Sequence, residues 1–456
     1  MARSLAAETF ITSVDIKAWI SKTFMLSPDN NRVAYLAKDG RKFFVVVDGV
    51  EGKRYEYIAQ DSLTFSPDGK RIAYIAQSDN KYFVVVDGLE GGHYEDIGKG
   101  SLVFSPDSKR IAYIVKDNKK CFTVVDGEEK RHYDDMGKGV PLFSPDSKRL
   151  AYIALSGGKC LVVVDEHEKR LYNDIKDASI TFSPDSERLA YVAYSGRHCF
   201  TVLDDEEGAY YDDIRDGRLI FSPDSKHLAY ICLIGNACSV ILDGKMGKPC
   251  RSIANDSLTF SPDSKQLAYA ALREDACFIV VNGKEGKLFE GIGGGTPIFS
   301  PDGSQLIYVG KMGNKCYLVL NGELVKVHDD IIKDTLIFSR DSSRIAYVAI
   351  SKGKWFSSDK CFVVVDGEGE KVYDDIRDGT LLFSPDSKNT AYVARVKEKY
   401  YVVVNQDEGT VHNNIVLVYR RNNNKLITNG FSFNTSGHLQ YYIFKGNDIY
   451  RLEEKI

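Results

Sequence analysis

The sequence predicts an all-β fold, a β-propeller of eleven four-stranded blades closed into one ring, and three observations carry that prediction. The first is a period. Ser-Pro-Asp tripeptides begin at Ser27, Ser66, Ser105, Ser144, Ser183, Ser222, Ser261 and Ser300, 39 residues apart each time. A degraded copy, Ser339-Arg340-Asp341, keeps the step; Ser384 follows 45 residues later, and a worn Ser432-Phe433-Asn434 comes 48 after that. A repeat near 40 residues built from short strands marks propeller blades and not a helical solenoid. The second observation is that each unit divides into four short runs separated by turn residues. The third is that the two ends of the chain complement each other.

The second unit shows the four runs in order. Ser62-Leu63-Thr64-Phe65-Ser66 is a short strand, and Pro67-Asp68-Gly69-Lys70 is a turn, because proline presets φ and Asp and Gly favour the bend. Ile72-Ala73-Tyr74-Ile75-Ala76 is a second strand and Phe83-Val84-Val85-Val86 a third, each apolar on consecutive residues, as a sheet covered on both faces requires. Asp87-Gly88 reads as a hairpin turn whose residues tolerate positive φ, and the slot recurs at Asp48, Asp126, Asp165, Asp243, Asn282, Asn321, Asp366 and Asn405. A fourth strand is expected around Tyr94-Glu95-Asp96-Ile97. Its charge, repeated at Tyr211 to Ile214 and Tyr373 to Ile376, suits an outer edge that must not aggregate. The first strand then lines the axis.

Phe104-Ser-Pro-Asp-Ser-Lys-Arg-Ile-Ala-Tyr113 resembles the repeat of the TolB-type, WD-repeat-like β-propellers, and the match recurs over nearly the whole chain. The Trp-Asp dipeptide of true WD repeats is missing. What the resemblance implies is a protein-binding or scaffolding propeller; it carries over no catalytic residue.

Counted back from the repeat serine, Ile16-Lys17-Ala18-Trp19 aligns with Tyr94-Glu95-Asp96-Ile97, so the chain opens on a fourth strand lacking its first three. After Ser432 come strands near Tyr441 to Phe444 and Ile449 to Leu452, and the chain stops at Ile456 where a fourth would begin. The expectation is one domain over 1–456: a closing fourth strand within 1–20, blades one to ten over 21–429, and the first three strands of the last blade over 430–456. Two tandem propellers of five and six blades are the alternative. Extra residues occur only at Lys352 to Asp359 and near Leu417 to Lys425, neither where a boundary between two rings needs slack.

Bulk properties bound the function. With 64 acidic and 60 basic residues spread through every repeat, for a net charge of −4, the chain has no polyanion-binding surface, and neither nucleic acid nor membrane is expected as a partner. No apolar run reaches the ~18 residues of a membrane span. Seven of nine cysteines, Cys121, Cys160, Cys199, Cys238, Cys277, Cys316 and Cys361, share one slot that Phe43, Tyr82 and Tyr400 fill in other units. Neighbouring blades set such positions beyond the ~7 Å reach of a disulfide, so they are expected as small buried side chains. Reduced thiols and no apolar leader point to the cytoplasm, or to the periplasm if a leader was removed. A monomer is expected.

The residues that could carry chemistry mostly have a plainer use. The Asp of each Ser-Pro-Asp reads as a turn side chain bonding its own backbone. Tyr35, Tyr74, Tyr113, Tyr152, Tyr191, Tyr230, Tyr269, Tyr308, Tyr347 and Tyr392 share a slot expected to pack between blades. The eight histidines lack zinc spacing, acidic clusters such as Asp126-Gly127-Glu128-Glu129 lack a calcium-loop pattern, and no nucleophile elbow or phosphate loop appears. No catalytic, cofactor or metal residue is therefore assigned. The slot ahead of the motif is mostly hydroxylated, at Thr23, Ser62, Ser101, Ser179, Ser257, Thr296, Thr335 and Thr380. With the links Lys99, Lys138, Asp177, Asp216, Asp256, Asp334 and Asp378 it is expected to rim an axial channel, as a solvated mouth or as a site for a polar ligand or peptide. The insertion in blade nine places Lys354, Trp355 and Phe356 in a loop, where exposed aromatics flanked by polar residues suit a partner contact. The expectation is a non-catalytic scaffold binding protein partners through loop faces or the axial channel. An enzyme with an axial site and a small-ligand or glycan binder are the alternatives.

Overall fold

The computed structural model describes residues 4–15, 17–20, 22–137, 139–254, 256–353, 358–422 and 425–456. It comprises two compact units, Asp15–Pro249 and Met1–Val14 with Cys250–Ile456. The first carries six blades and the second five. Among the described residues there are eleven antiparallel blade sheets, each built from four strand positions, and one added hairpin, Val418–Asn422 with Lys425–Asn429. The fold is a β-propeller.

Blade three illustrates the plan. Ile111–Asp117 and Lys120–Val125 form the central hairpin, flanked by Glu128–Glu129 on one side and by Asp96–Ile97 and Val103–Phe104 on the other. The central strands are buried on consecutive residues: in blade two, Ile72 through Ala76 and Phe83 through Val85 are all shielded from solvent. The third turn is a two-residue hairpin with φ of 51° at Asp87 and 84° at Gly88. Both values lie in the left-handed region that Asp-Gly and Asn-Gly accept.

The fourth strand differs from its expected place. A two-residue turn leaves no slack, so pairing resumes at once: Leu89–Glu90 lies on Val85 and Val86, and Tyr94 closes the strand on Tyr82. The chain then crosses over, and Asp96–Ile97 pairs with Lys116 and Val115 of the next blade. The Tyr-x-Asp-Ile run is thus the end of one blade and the start of the following one. The same crossing moves the closing strand. Trp19 bridges Ala37 in blade one, and the fourth strand of the last blade is instead Ser4–Ser13, paired with Asp448–Lys455. Ile415–Val416 likewise already belongs to the last blade, paired with Ile443 and Tyr442.

Successive blades within a unit are joined by one repeated set of bonds. Ser66 Oγ donates to Asp68 Oδ1 at 2.6 Å and accepts from the Arg71 amide at 2.9 Å, which holds the turn. The Asp68 amide then reaches forward to Ser108 Oγ of the next blade at 3.0 Å, and Asp107, Asp146 and Asp185 do the same to Ser147, Ser186 and Ser225. Arg71 donates through Nε to Asp87 and through Nη1 to the Lys109 carbonyl of the next blade, with its guanidinium 5.4 Å from the Phe104 ring centroid. Arg110, Arg149, Arg188 and Arg344 repeat this clamp. Beneath it, the last aromatic of most fourth strands meets the repeat tyrosine of the next blade edge-on, as Tyr172 meets Tyr191 at 6.2 Å, while blade six has Cys250 in that place.

Candidate partner-contact surface

The fourth strands end in an alternation of period two. Phe289, His328, Tyr373 and His412 point inward onto Tyr308, Tyr347, Tyr392 and Tyr441 of the following blades. The residue before each therefore points outward, and it is apolar: Leu288, Val327, Val372 and Val411 are each about half exposed or more. These positions recur along blades seven to ten of one unit, at a spacing set by the packed interfaces beneath them. Blade eight adds most. Its fourth strand, Glu323–His328, pairs over six residues with a bulge opposite Leu318 and Val319, and Leu324 and Val325 are exposed beside Val327. In blade three the corresponding run is Glu128-Glu129-Lys130-Arg131-His132, the charged edge that ordinarily discourages contact. The charge-to-aliphatic replacement in blade eight was present in the sequence but lay outside the period-based reading, which placed the fourth strand too late.

The residues singled out from the sequence are distributed as follows. Lys354, Trp355 and Phe356 lie outside the described residues, as does Lys138. Thr23, Ser62, Ser101, Ser179, Ser257, Thr296, Thr335 and Thr380 are buried within the first strands. Each of these strands bulges between its two paired pieces, and the hydroxyl bridges the gap. Ser101 Oγ donates to the Gly98 carbonyl at 2.7 Å and accepts from the Ile114 amide at 3.0 Å. Thr335 does the same with Ile332 and Val348, and Thr380 with Arg377 and Val393. The link residues Lys99, Asp177, Asp216, Asp256 and Asp378 face solvent, while Asp334 is half-buried.

All nine cysteines are free. Several donate weakly to a carboxylate of the next blade, Cys316 Sγ to Asp330 at 3.1 Å and Cys160 Sγ to Asp174 at 3.4 Å. Burial first, and then that carboxylate, push these thiols up in pKa, which keeps them protonated and unreactive. The repeat tyrosines are buried throughout, and desolvation raises the pKa of Tyr191 and Tyr347. No group of three or more His, Cys, Asp or Glu side chains is arranged to hold a metal among the described residues.

Where the repeat fails, polar groups enter the interfaces. His328 Nε2 lies 2.8 Å from the Tyr347 hydroxyl, and burial lowers its pKa. Tyr392 donates to Glu370 at 2.8 Å, whose carboxyl burial pushes up. Buried His412 lies 3.3 Å from the Tyr441 hydroxyl, which donates to buried Glu454. This chain adjoins a cleft of about 530 Å³ that Glu8, Val411 and Phe444 also line. In the sequence His328 and His412 break the run of tyrosines that includes Tyr94, Tyr133 and Tyr172, whereas Glu370 and Glu454 lie outside that slot.

No family model matches the chain, and no curated protein matches it. Similar solved structures exist. A eukaryotic initiation factor is 12% identical, with 74% of this chain and 95% of that one covered and a TM-score of 0.42. TolB from Acinetobacter baumannii is 19% identical over 48% of this chain and 63% of its own, with a TM-score of 0.27. The β-propeller domain of the Trilobed protease from Pyrococcus furiosus is 14% identical over 58% and 96%, with a TM-score of 0.28. At such scores the likenesses carry no argument about what this chain does, and its assignment as a β-propeller rests on its own sheets.

Proposed function

We propose that this protein is a non-catalytic propeller scaffold that docks protein partners on the outer edges of its blades. The observation that supports the reading is the row Leu288, Val327, Val372 and Val411, joined by Leu324 and Val325, held on rigid strands in one unit. Exposed aliphatic side chains in a regular row have no use within the blades that carry them, and apolar patches rimmed by polar residues mark contact sites. The test is a triple variant, Leu288→Glu, Val327→Glu and Val372→Glu, compared with the parent in quantitative co-purification from the native host. Partners present with the parent should be lost from the variant while the melting temperature holds. An unchanged partner set, or robust turnover in a hydrolase panel, would overturn the reading.

A further inference from the structure

The second blade differs from its copies at two places that line one pocket. In six other blades the first residue of the first strand is aspartate, as at Asp96, Asp135 and Asp174, whereas blade two has Tyr57. In seven blades the third-strand slot is cysteine, whereas blade two has Tyr82. The thiol–carboxylate contact that Cys160 makes with Asp174 across a blade interface is therefore absent on both sides of blade two: Phe43 and Tyr57 occupy its two positions on one side, and Tyr82 takes the thiol's place opposite Asp96 on the other. Tyr57 and Tyr82 both sit opposite Gln77 in the sheet, one from each side. Phe43 of blade one, in the same slot as Tyr82, packs edge-on against Tyr57 at 6.1 Å. Tyr57 is nevertheless 41% exposed.

Both tyrosines line an open pocket of about 320 Å³ whose other walls include Gln60, Asp61, Asp96 and Lys99. Lys99 and Asp61 pair at 3.3 Å, but both are highly exposed, so the pair is weak and its groups can turn to a ligand. The Asp96 carboxylate accepts from the Ile97 amide at 2.9 Å and has capacity for further donors. Tyrosine offers an apolar face with a polar tip, and the floor offers both acceptors and donors: two carboxylates, one amide and one ammonium. An anionic ligand would meet two carboxylates, and a simple cation would be opposed by Lys99. A neutral polyhydroxylated ring, with apolar C–H faces and hydroxyls that both donate and accept, satisfies the whole lining.

We propose that this pocket is a subsite for a neutral sugar ring, stacked against Tyr57 and Tyr82 and hydrogen-bonded by Gln60, Asp61, Asp96 and Lys99. It lies in the other unit from the edge row and stands independently of it. A single shallow subsite implies a Kd on the order of 1 mM for a monosaccharide, with tighter binding for an oligosaccharide that extends along the surface. The experiment screens the full chain against an array of neutral oligosaccharides, then measures the best methyl glycoside by saturation-transfer NMR. The informative variant, Tyr57→Asp with Tyr82→Cys, restores the residues that other blades carry, so the blade has a precedent for folding. Asp61→Asn provides a second variant that leaves both rings in place. The expected result is binding by the parent, weakened about tenfold or more by the double variant and less by Asp61→Asn. Failure of every neutral saccharide to bind the parent, or binding that the double variant leaves unchanged, would overturn the proposal.

Discussion

Thr335 shows how one hydroxyl can decide whether a strand may bulge. Its Oγ1 donates to the Ile332 carbonyl at 2.7 Å and accepts from the buried Val348 amide at 3.1 Å. Thr335→Val keeps the shape and removes both bonds, leaving that amide without its partner. The expected loss is about 1–3 kcal/mol in chemical denaturation, whereas Thr335→Ser, the residue at Ser62 and Ser101, should cost little. No measurable change in Thr335→Val would mean that water replaces the hydroxyl. The slot's hydroxyl character was legible in the sequence, because eight copies share it. Its purpose was not, since a sequence does not show that the first strand breaks and rejoins around this residue.

The turn after the first strand is an element with its own pH dependence. Asp68, Asp107, Asp146, Asp302 and Asp341 have carboxyls held below their ordinary value of 3.8, first by the hydrogen bond from the repeat serine and then by a backbone amide two residues on. In Asp146, Asp302 and Asp341 the value falls to about 2. A carboxyl depressed in the folded state adds stability that is fully present above its unfolded pKa and lost as pH falls through the folded one. The melting temperature should therefore decline between about pH 4 and pH 2, and the Asp146→Asn variant should decline less steeply over that window. Parallel curves for parent and variant would remove this turn as a source of acid sensitivity. At this scale the sequence was informative about hairpins, since Asp87-Gly88 announces its own geometry. It misled about the fourth strand, because Tyr94 and Asp96 are only two residues apart in sequence but pair into different blades.

For the whole molecule, the period announced the blade count and the complementary ends announced a shared blade. The strand that completes that blade was harder to find: Ser4–Ser13 carries no repeat motif and is recognised only by its pairing with Asp448–Lys455. Ser13 Oγ donates to Asp448 Oδ1 at 2.5 Å, and Glu8 pairs with Lys445. Deleting residues 1–13 should uncover the Asp448–Lys455 edge, lower the melting temperature and promote self-association, read by thermal unfolding and light scattering. Unchanged melting and monodispersity would show that the pairing adds nothing to the fold.

The forward bond from the turn amide to the following serine, made at Asp68, Asp107, Asp146, Asp185, Asp302 and Asp341, has a consequence for the chain's history. The contact is head-to-tail: Asp107 gives to Ser147 what Asp68 gives to Ser108, and neither partner needs to know its ordinal number. Such a joint contains no instruction to stop, so copying a unit in the gene supplies a ready interface with both neighbours and demands no compensating change. At Ser432-Phe433-Asn434 the turn has lost its proline and its aspartate, and the strand that finishes the last blade comes from the opposite end of the polypeptide.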